Sequence, residues 1–332
     1  MKLPRVAIAL GDPAGIGPEI ALKAATDARL RRLCIPLLVG DWQAIQAQRV
    51  AGVNGPELAV IHAMAEIGNG PAGAVEFWDL GHFRDQPLVL GQVRPAHGRA
   101  AVDAAAAAIG AALAQRVDAV VAAPQTELAI KQAGIEFDGY PSFVARCTGT
   151  APEDVFLMLC FERTRIVHTT LHLSLRRAIE LITRERLGKV FRATLRALRQ
   201  MGIARPRIAV SGLNPHAGEN GLFGHEEQTL IGPAIETARR AGIDLEGPFG
   251  ADTMFQRQGY DCFIVMYHDQ GHIAAKLLAN NRTAAVTIGT PVLFSSVAHG
   301  SALDIAGKNR ADPGALIEAV ERLVGTSGQA AS

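Results

Sequence analysis

Three histidines in this sequence lie in settings that suit metal chemistry. His268 follows an apolar run typical of a buried strand, and His172 and His216 lie in the segments Thr-Thr-Leu-His (169–172) and Asn-Pro-His-Ala-Gly-Glu (214–219). Strands of this kind deliver polar side chains to the edge of an α/β sheet, where ligands bind. Together the three histidines suggest a metal site, whereas each one alone would more often be a hydrogen-bonded residue of the core or its rim.

The composition narrows the class of protein. With 332 residues the chain has room for about two domains, and a content of 48% hydrophobic and 5% aromatic residues suits an aliphatic α/β core. The net charge of +1 argues against a nucleic-acid or anionic-membrane partner. No signal peptide and no apolar run long enough to span a membrane are evident, so we expect a soluble cytoplasmic protein. The scattered cysteines are expected to be reduced and buried: Cys34, Cys147, Cys160 and Cys262.

Strand-like and helix-like segments alternate along the chain. The predicted strands are 6–10, 35–40, 58–62, 117–124, 156–160, 166–171, 207–211, 262–267, 284–288 and 292–297. The predicted helices are one with Pro18 in its first turn, one after Asp41, 98–116, one beginning at 174, 226–241 and 313–324. This alternation predicts a doubly wound, mostly parallel α/β architecture, and the absence of a linker predicts two interwoven domains. The Gly- and Pro-rich turn 11–20 matches neither a dinucleotide-binding fingerprint nor a P-loop.

Three segments together resemble one known family. Residues 11–19, 214–219 (Asn-Pro-His-Ala-Gly-Glu) and 268–271 (His-Asp-Gln-Gly) are similar to motifs of the 4-hydroxythreonine-4-phosphate dehydrogenases of pyridoxal phosphate biosynthesis. The resemblance implies two α/β/α domains of the isocitrate/isopropylmalate dehydrogenase type, with an active-site cleft between them. It also implies a homodimer with shared active sites. We expect the first domain, with the cofactor loop, at 1–125 plus 275–332, and the second, with the metal ligands and dimer contacts, at 126–274.

The family pattern maps one divalent metal ion onto His172, His216 and His268, the last lent by the other subunit. The donor chemistry agrees, because neutral imidazoles suit Zn²⁺ and three protein ligands leave positions open for substrate oxygens. Asp252 is the candidate for orienting the site. Lys276 is the candidate for proton transfer or carboxylate binding, with a solvated surface lysine as the alternative. Three further histidines are assigned supporting or structural roles: His168, His225 and His272.

The segment 297–308 looks like the cofactor loop of the larger dehydrogenase group. The resemblance implies adenosine binding by His299, Gly300, Ala302 and Asp304. A carboxylate at Asp304 can accept hydrogen bonds from ribose hydroxyls, which favours NAD over NADP. The alternative is a tight turn without a ligand.

The departures from the family pattern concern the substrate. Where the phosphate-using members carry Gly-His-Thr-Glu, this chain has Gly-Tyr-Pro-Ser at 139–142, and their Asn and Arg positions are Ala285 and Phe294 here. Phenylalanine cannot replace an arginine that binds phosphate. The variant segments resemble instead the terephthalate dihydrodiol dehydrogenases. The expected substrate-binding residues are Tyr140, Pro141, Ser142, Lys276, Ala285 and Phe294.

The resemblance implies oxidative decarboxylation in aromatic catabolism: terephthalate 1,2-cis-dihydrodiol and NAD give 3,4-dihydroxybenzoate, CO₂ and NADH. Tyr140 and Phe294 would then be walls for a flat ring, or else ordinary packing aromatics. Two rival interpretations stay open. One is a phospho-hydroxyacid dehydrogenase, and the other is a non-catalytic metal- or carboxylate-binding protein on the same scaffold.

Overall fold

A computed structural model describes residues 3–85, 87–279, 283–297 and 299–324. The chain divides into two compact units. The first comprises Met1–Gly149 and Pro291–Ser332, and the second comprises Thr150–Thr290. The first unit therefore combines an early and a late segment of the described chain, on either side of the second unit in sequence.

Within the described ranges the structure has twelve strands and eleven α-helices. The strands are β1 Arg5–Ala9, β2 Ile35–Gly40, β3 Leu58–Ile61, β4 Val75–Asp79, β5 Ala119–Ala122, β6 Phe156–Phe161, β7 Thr164–His168, β8 Ile208–Ser211, β9 Leu245–Phe249, β10 Cys262–Val265, β11 Ala284–Ile288 and β12 Phe294–Ser296. The helices are α1 Gly17–Thr26, α2 Ala28–Leu33, α3 Trp42–Val50, α4 Pro95–Leu113, α5 Glu127–Gln132, α6 Tyr140–Thr148, α7 Leu175–Glu180, α8 Arg184–Gln200, α9 Gly232–Arg240, α10 His268–Ala279 and α11 Gly314–Val324.

The first unit is built on parallel strands in the order β3-β4-β2-β1-β5-β12. Consecutive residues of β1, from Val6 to Ala9, are all fully buried, so both faces of the strand are covered. The alanine-rich helix α4 packs on β1, β2 and β5 because its small side chains let the helix approach closely. At the end of β1, a Cβ on Gly11 (φ +67°) would lie 2.2 Å from the carbonyl oxygen of Pro124, so this turn requires glycine.

The second unit is mixed. Strands β7, β10, β8 and β9 are parallel neighbours, whereas β6 runs antiparallel to both β7 and β11. Only residues 162–163 separate β6 from β7, and a connection this short can join only antiparallel strands. The core of this unit lies around Ile166, Ala209 and Val265, with Ala275 of α10 packed against it.

The unit boundaries differ from the predicted domain boundaries at two places. Residues 126–149 lie in the first unit because α5 and α6 pack on α4. Residues 275–290 lie in the second unit because α10 packs on β6, β7 and β10, and β11 pairs with β6. The likeness to isocitrate/isopropylmalate dehydrogenases and the cleft between domains stay predictions.

The α/β class is confirmed, and each predicted strand corresponds to a strand in the structure. Strands β4 and β9 were not predicted. The apolar run predicted as a strand over 262–267 forms β10 only as far as Val265, and a helix that was not predicted begins at His268. None of the helices in the described ranges is long and apolar enough to cross a membrane.

Candidate active site

Helix α10 presents three basic side chains in a row. His268, His272 and Lys276 are spaced four residues apart, which places them on one side of an α-helix. The rings of His268 and His272 stack with centroids 3.7 Å apart and an angle of 8° between their planes. Burial and the neighbouring His268 lower the pKa of His272 to about 4, so its imidazole is neutral at neutral pH.

A buried histidine lies behind this row. His168, at the end of β7, is fully buried, and its Nε2 lies 3.1 Å from Nδ1 of His272. Burial, followed by the neighbouring His272, lowers the pKa of His168 to about 3. Two neutral imidazoles at this distance can share one N–H as donor and one ring nitrogen as acceptor. The pair therefore ties α10 to β7.

His172 lies close to His268, and both line a cavity. His172 is exposed in the loop between β7 and α7, and its ring centroid lies 5.5 Å from that of His268. Two hydrogen bonds fix the start of this loop: Thr169 N donates to Val265 O at 2.9 Å, and Thr170 Oγ1 donates to Met266 O at 2.9 Å. The cavity has a volume of about 450 Å³, and its lining includes Leu171, His172, Leu173, Leu175 and His268.

His216 lies in an unusual backbone turn. Residues 216–220 all have φ between 41° and 81°, which is the left-handed region. Side-chain-bearing residues adopt this region at an energetic cost, and clusters of such residues occur at functional sites. A Cβ on Gly250 would lie 3.7 Å from His216 Cα and 2.8 Å from Asp252 Oδ1, so His216 and the exposed Asp252 flank this glycine.

The predicted metal ligands are only partly brought together. His172 and His268 are neighbours, but in the described part of the chain no group of three or more His, Cys, Asp or Glu side chains is arranged to hold a metal ion. A single chain therefore does not assemble His172, His216 and His268 as one ligand set. His268 is expected to serve the site of another subunit, so this prediction applies to a dimer of the chain.

Gln270 links the two segments that carry His268 and His216. Its Oε1 accepts from Met266 N at 2.8 Å, and its Nε2 donates to Gly212 O at 3.0 Å. One amide side chain thus joins the start of α10 to the end of β8. This role was not predicted, although Gln270 lies within the His-Asp-Gln-Gly motif. The amide that directly follows His268 and Asp269 was the signal in the sequence.

In the first unit, the residues expected to contact the substrate form an aromatic cluster. Tyr140 and Pro141 begin α6, Ser142 hydrogen-bonds to Asp138, and the ring centroids of Tyr140 and Phe294 are 4.9 Å apart. Burial raises the pKa of the Tyr140 hydroxyl. The side chain of Phe294 is fully buried in the core, so in this structure it packs against Tyr140 and is not a wall of an open pocket.

The other two residues expected to bind substrate lie in the second unit. Ala285, on β11, is half-buried and packs against the core there. Lys276 is exposed on α10.

The predicted cofactor loop is held on the Gly-rich turn that follows β1. Ile16 N donates to Ser301 O at 2.9 Å, and a Cβ on Gly15 would lie 2.7 Å from the same oxygen. Thr126 Oγ1 donates to Ser301 Oγ at 3.0 Å. Ala302 is in the left-handed region (φ +42°), and it begins a short helical turn.

Three of the four predicted cofactor-binding residues in this loop are solvent-exposed: His299, Gly300 and Asp304. Ala302 is half-buried, and Ala298 lies outside the described residues. The loop is thus an ordered turn whose carboxylate at Asp304 is accessible.

The sequence profile of the family described as "Pyridoxal phosphate biosynthetic protein PdxA" matches residues 32–323. The chain belongs to the PdxA family. This confirms the resemblance stated from the motifs, and the chain is accordingly a dehydrogenase of that family.

Curated members of the PdxA family differ in their named substrates. The chain is 41% identical over 320 residues, covering 96% of both chains, to a 1,2-dihydroxy-3,5-cyclohexadiene-1,4-dicarboxylate dehydrogenase from a Comamonas species. It is 42% identical over 321 residues, covering 96% of this chain and 95% of the other, to a protein named putative D-threonate 4-phosphate dehydrogenase from Symbiobacterium thermophilum.

Two solved PdxA-family structures are similar over nearly the whole chain. A 4-hydroxythreonine-4-phosphate dehydrogenase from Burkholderia phymatum has a TM-score of 0.88 at 34% identity, covering 98% of each chain. A terephthalate 1,2-cis-dihydrodiol dehydrogenase from Burkholderia xenovorans LB400 has a TM-score of 0.80 at 40% identity, covering 98% of this chain and 99% of the other.

Proposed function

We propose that this chain is a NAD- and divalent-metal-dependent dehydrogenase that oxidises and decarboxylates a cis-dihydrodiol dicarboxylate, converting terephthalate 1,2-cis-dihydrodiol to 3,4-dihydroxybenzoate. The observation that carries this proposal is the fully buried Phe294 packed on Tyr140. By the family resemblance, phosphate-using members have an arginine at this position. The buried, apolar Phe294 offers a phosphate dianion neither a cation nor access at this position. The similarity to the Comamonas and Burkholderia xenovorans dehydrogenases supports the same substrate class.

The donor chemistry of the histidines fits a divalent ion such as Zn²⁺. Nδ1 of His268 lies 2.7 Å from Oδ1 of Asp269, which leaves Nε2 as the ligand atom and fixes the orientation of the ring. His172 is exposed, so its ring nitrogens are accessible to an ion. When bound, the ion would supply Lewis acidity that lowers the pKa of a substrate hydroxyl and stabilises negative charge on oxygen.

A homodimer would complete this ligand set. Close to the candidate ligands, α10 exposes Ile273 (57%), Leu277 (76%) and Leu278 (54%). Leu173 and Leu175, beside His172, are also exposed. Apolar side chains concentrated next to a functional site are typical of protein interfaces. A second copy that covers this surface would bring its own His268 to the partner's His172 and His216.

Three further roles concern this chain's own side chains. Lys276, exposed on the same side of α10 as His268, would bind a substrate carboxylate or transfer a proton. Asp252, beside His216, would orient the site. In the loop 299–304, the accessible carboxylate of Asp304 would accept hydrogen bonds from the ribose of NAD, next to His299, Gly300 and Ala302.

A phosphorylated hydroxy acid is the alternative substrate, because the chain is 42% identical to the Symbiobacterium protein. The deciding experiment measures NADH formation by the purified enzyme with Zn²⁺ present. One arm uses terephthalate cis-dihydrodiol, and the other uses D-threonate 4-phosphate or 4-hydroxythreonine 4-phosphate. We expect turnover of the diol with stoichiometric 3,4-dihydroxybenzoate and CO₂. Turnover of only a phosphate ester would refute the proposed substrate, and no NAD reduction with any of them would favour a non-catalytic binding protein.

A further inference from the structure

The left-handed turn at 216–220 requires an explanation from its surroundings. Four of its five residues carry side chains, for which this backbone conformation is unfavourable, and only Gly218 adopts it freely. A run of this kind persists only where neighbouring groups hold it in place. Within the described residues, the group that contacts the segment on both sides of His216 is the carboxylate of Glu227.

Glu227 receives three hydrogen bonds from the segment that leads into the turn. Its Oε1 accepts from Leu213 N at 2.7 Å and from Asn214 N at 2.8 Å. Its Oε2 accepts from Asn214 Nδ2 at 2.9 Å. The side chain is only 5% exposed, so these charge-assisted bonds form away from bulk water, where they are strong.

The same carboxylate also lies against the middle of the turn. A Cβ on Gly218 would lie 2.7 Å from Glu227 Oε2, which is closer than a real Cβ can approach. The carboxylate is therefore hydrogen-bonded to the backbone two residues before His216 and packed against it two residues after. Glu227 itself begins the helical turn Glu227–Ile231, which continues into α9, so its own position is rigid.

We propose that Glu227 is a positioning residue for His216: its buried carboxylate holds the left-handed turn that presents the imidazole to the metal ion. This inference rests on the proposed function, because His216 is a metal ligand only there. Glu227 does not touch the metal ion or the substrate in this scheme. It acts through the backbone of residues 213–218.

The test measures Zn²⁺ affinity by competition with a chromophoric chelator, together with thermal unfolding of the metal-free protein. In Glu227→Gln an amide of equal size cannot offer acceptors to all three donors, so one N–H group is left without its bond. We expect Zn²⁺ affinity to fall about 10- to 100-fold, as for other residues that orient metal ligands. The KM for NAD should stay unchanged while kcat falls. Glu236→Gln, on the exposed surface of α9, is the matched control and should bind Zn²⁺ like the wild type.

A second variant covers the case in which Glu227→Gln does not fold. Asn214→Ala removes the side-chain bonds to Oε2 of Glu227 and to Oε2 of Glu226 but keeps both backbone bonds to Oε1 of Glu227, so we expect a smaller loss of Zn²⁺ affinity in the same direction. His216→Ala tests the metal site separately from the positioning role of Glu227. If His216→Ala loses Zn²⁺ while folded Glu227→Gln and Asn214→Ala bind it normally, the positioning role is refuted and the proposed function stands. If His216→Ala binds Zn²⁺ normally, the metal site and the role of Glu227 both fail.

Discussion

Gly271 allows His168 to approach helix α10. A Cβ at residue 271 would lie 2.4 Å from Nε2 of His168, the nitrogen that faces His272. The motif needs glycine at this position because the His168 side chain, from strand β7, occupies the space that a Cβ would take. The position of the histidine row on α10 depends on this close contact.

Replacing Gly271 with alanine should therefore destabilise the protein. The new methyl group would also meet Ile166 Cγ2 at 2.8 Å, in a buried position with little room to adjust. We expect the free energy of unfolding to fall by about 1–3 kcal/mol, the usual cost of overpacking. Urea denaturation checks this. Gly188→Ala in α8 is the matched control: its Cβ would meet only the end of the flexible Arg192 side chain, at 3.3 Å, and alanine should stabilise the helix by about 0.5–1 kcal/mol. Equal effects at both positions would contradict the steric explanation.

Gln270→Glu should weaken the link between the segments of His268 and His216. The carboxylate can still accept from Met266 N, but it cannot donate to Gly212 O. Gly212 O keeps its hydrogen bond from Ser211 Oγ at 2.7 Å, so we expect the free energy of unfolding to fall by about 0.5–1.5 kcal/mol, the usual net value of one hydrogen bond. Zn²⁺ affinity should fall as well, measured by chelator competition. Gln256→Glu, an exposed position in the same unit, controls for the added charge. Wild-type stability and affinity in Gln270→Glu would show that the link is dispensable.

Lys276→Ala tests whether this exposed lysine takes part in the reaction. Because the side chain is exposed, its removal should leave thermal unfolding unchanged. The loss of a proton-transfer group should lower kcat by about 10²- to 10⁴-fold. A steady-state assay with the cis-dihydrodiol checks this, and Lys131→Ala on the first unit is the control. If only KM rises, Lys276 binds the carboxylate and transfers no proton; if neither changes, it is a surface lysine.

Leu277→Glu tests whether a second copy covers α10. In a monomer a charge at a position that is 76% exposed would have little effect. In the proposed dimer it would be buried without a partner, so we expect monomers in analytical ultracentrifugation and loss of Zn²⁺ binding, since each site would lack the partner's His268. Val50→Glu on α3, where Val50 is 89% exposed, should remain dimeric. A Leu277→Glu protein that stays dimeric and binds Zn²⁺ would place the interface elsewhere.

The fold could be predicted from the sequence where burial on both faces makes a strand uniformly apolar, as in β1 and β10. Strand β4 was missed because Glu76 and Asp79 interrupt its pattern. Both are buried, and Glu76 accepts hydrogen bonds from Gly68 N and Gly70 N, which local sequence does not reveal. Helix α10 was missed because it begins with polar residues and exposes leucines, the opposite of an ordinary amphipathic pattern.

The candidate site could be predicted only as a set of residue types. The motif histidines indicated metal chemistry, and the structure brings His172 and His268 together. The contact between His168 and His272 could not be predicted because it joins residues far apart in sequence. Likewise, Phe294 was expected beside a ligand, yet it is buried against Tyr140 of α6 and the core of the first unit, which no single segment specifies.

The division of the chain has a consequence for synthesis on the ribosome. Strand β12 completes the first unit by pairing with β5, but all of Thr150–Thr290 lies between these strands in sequence. Until that stretch has emerged, the nascent first unit has an unpaired β5 edge, with its backbone N–H and C=O groups open to other chains. The second unit, in contrast, is contiguous, and its first strand β6 pairs with its last strand β11. It can therefore close before the first unit does, and a released fragment that ends just after residue 290 should protect the second unit from protease while β5 remains accessible.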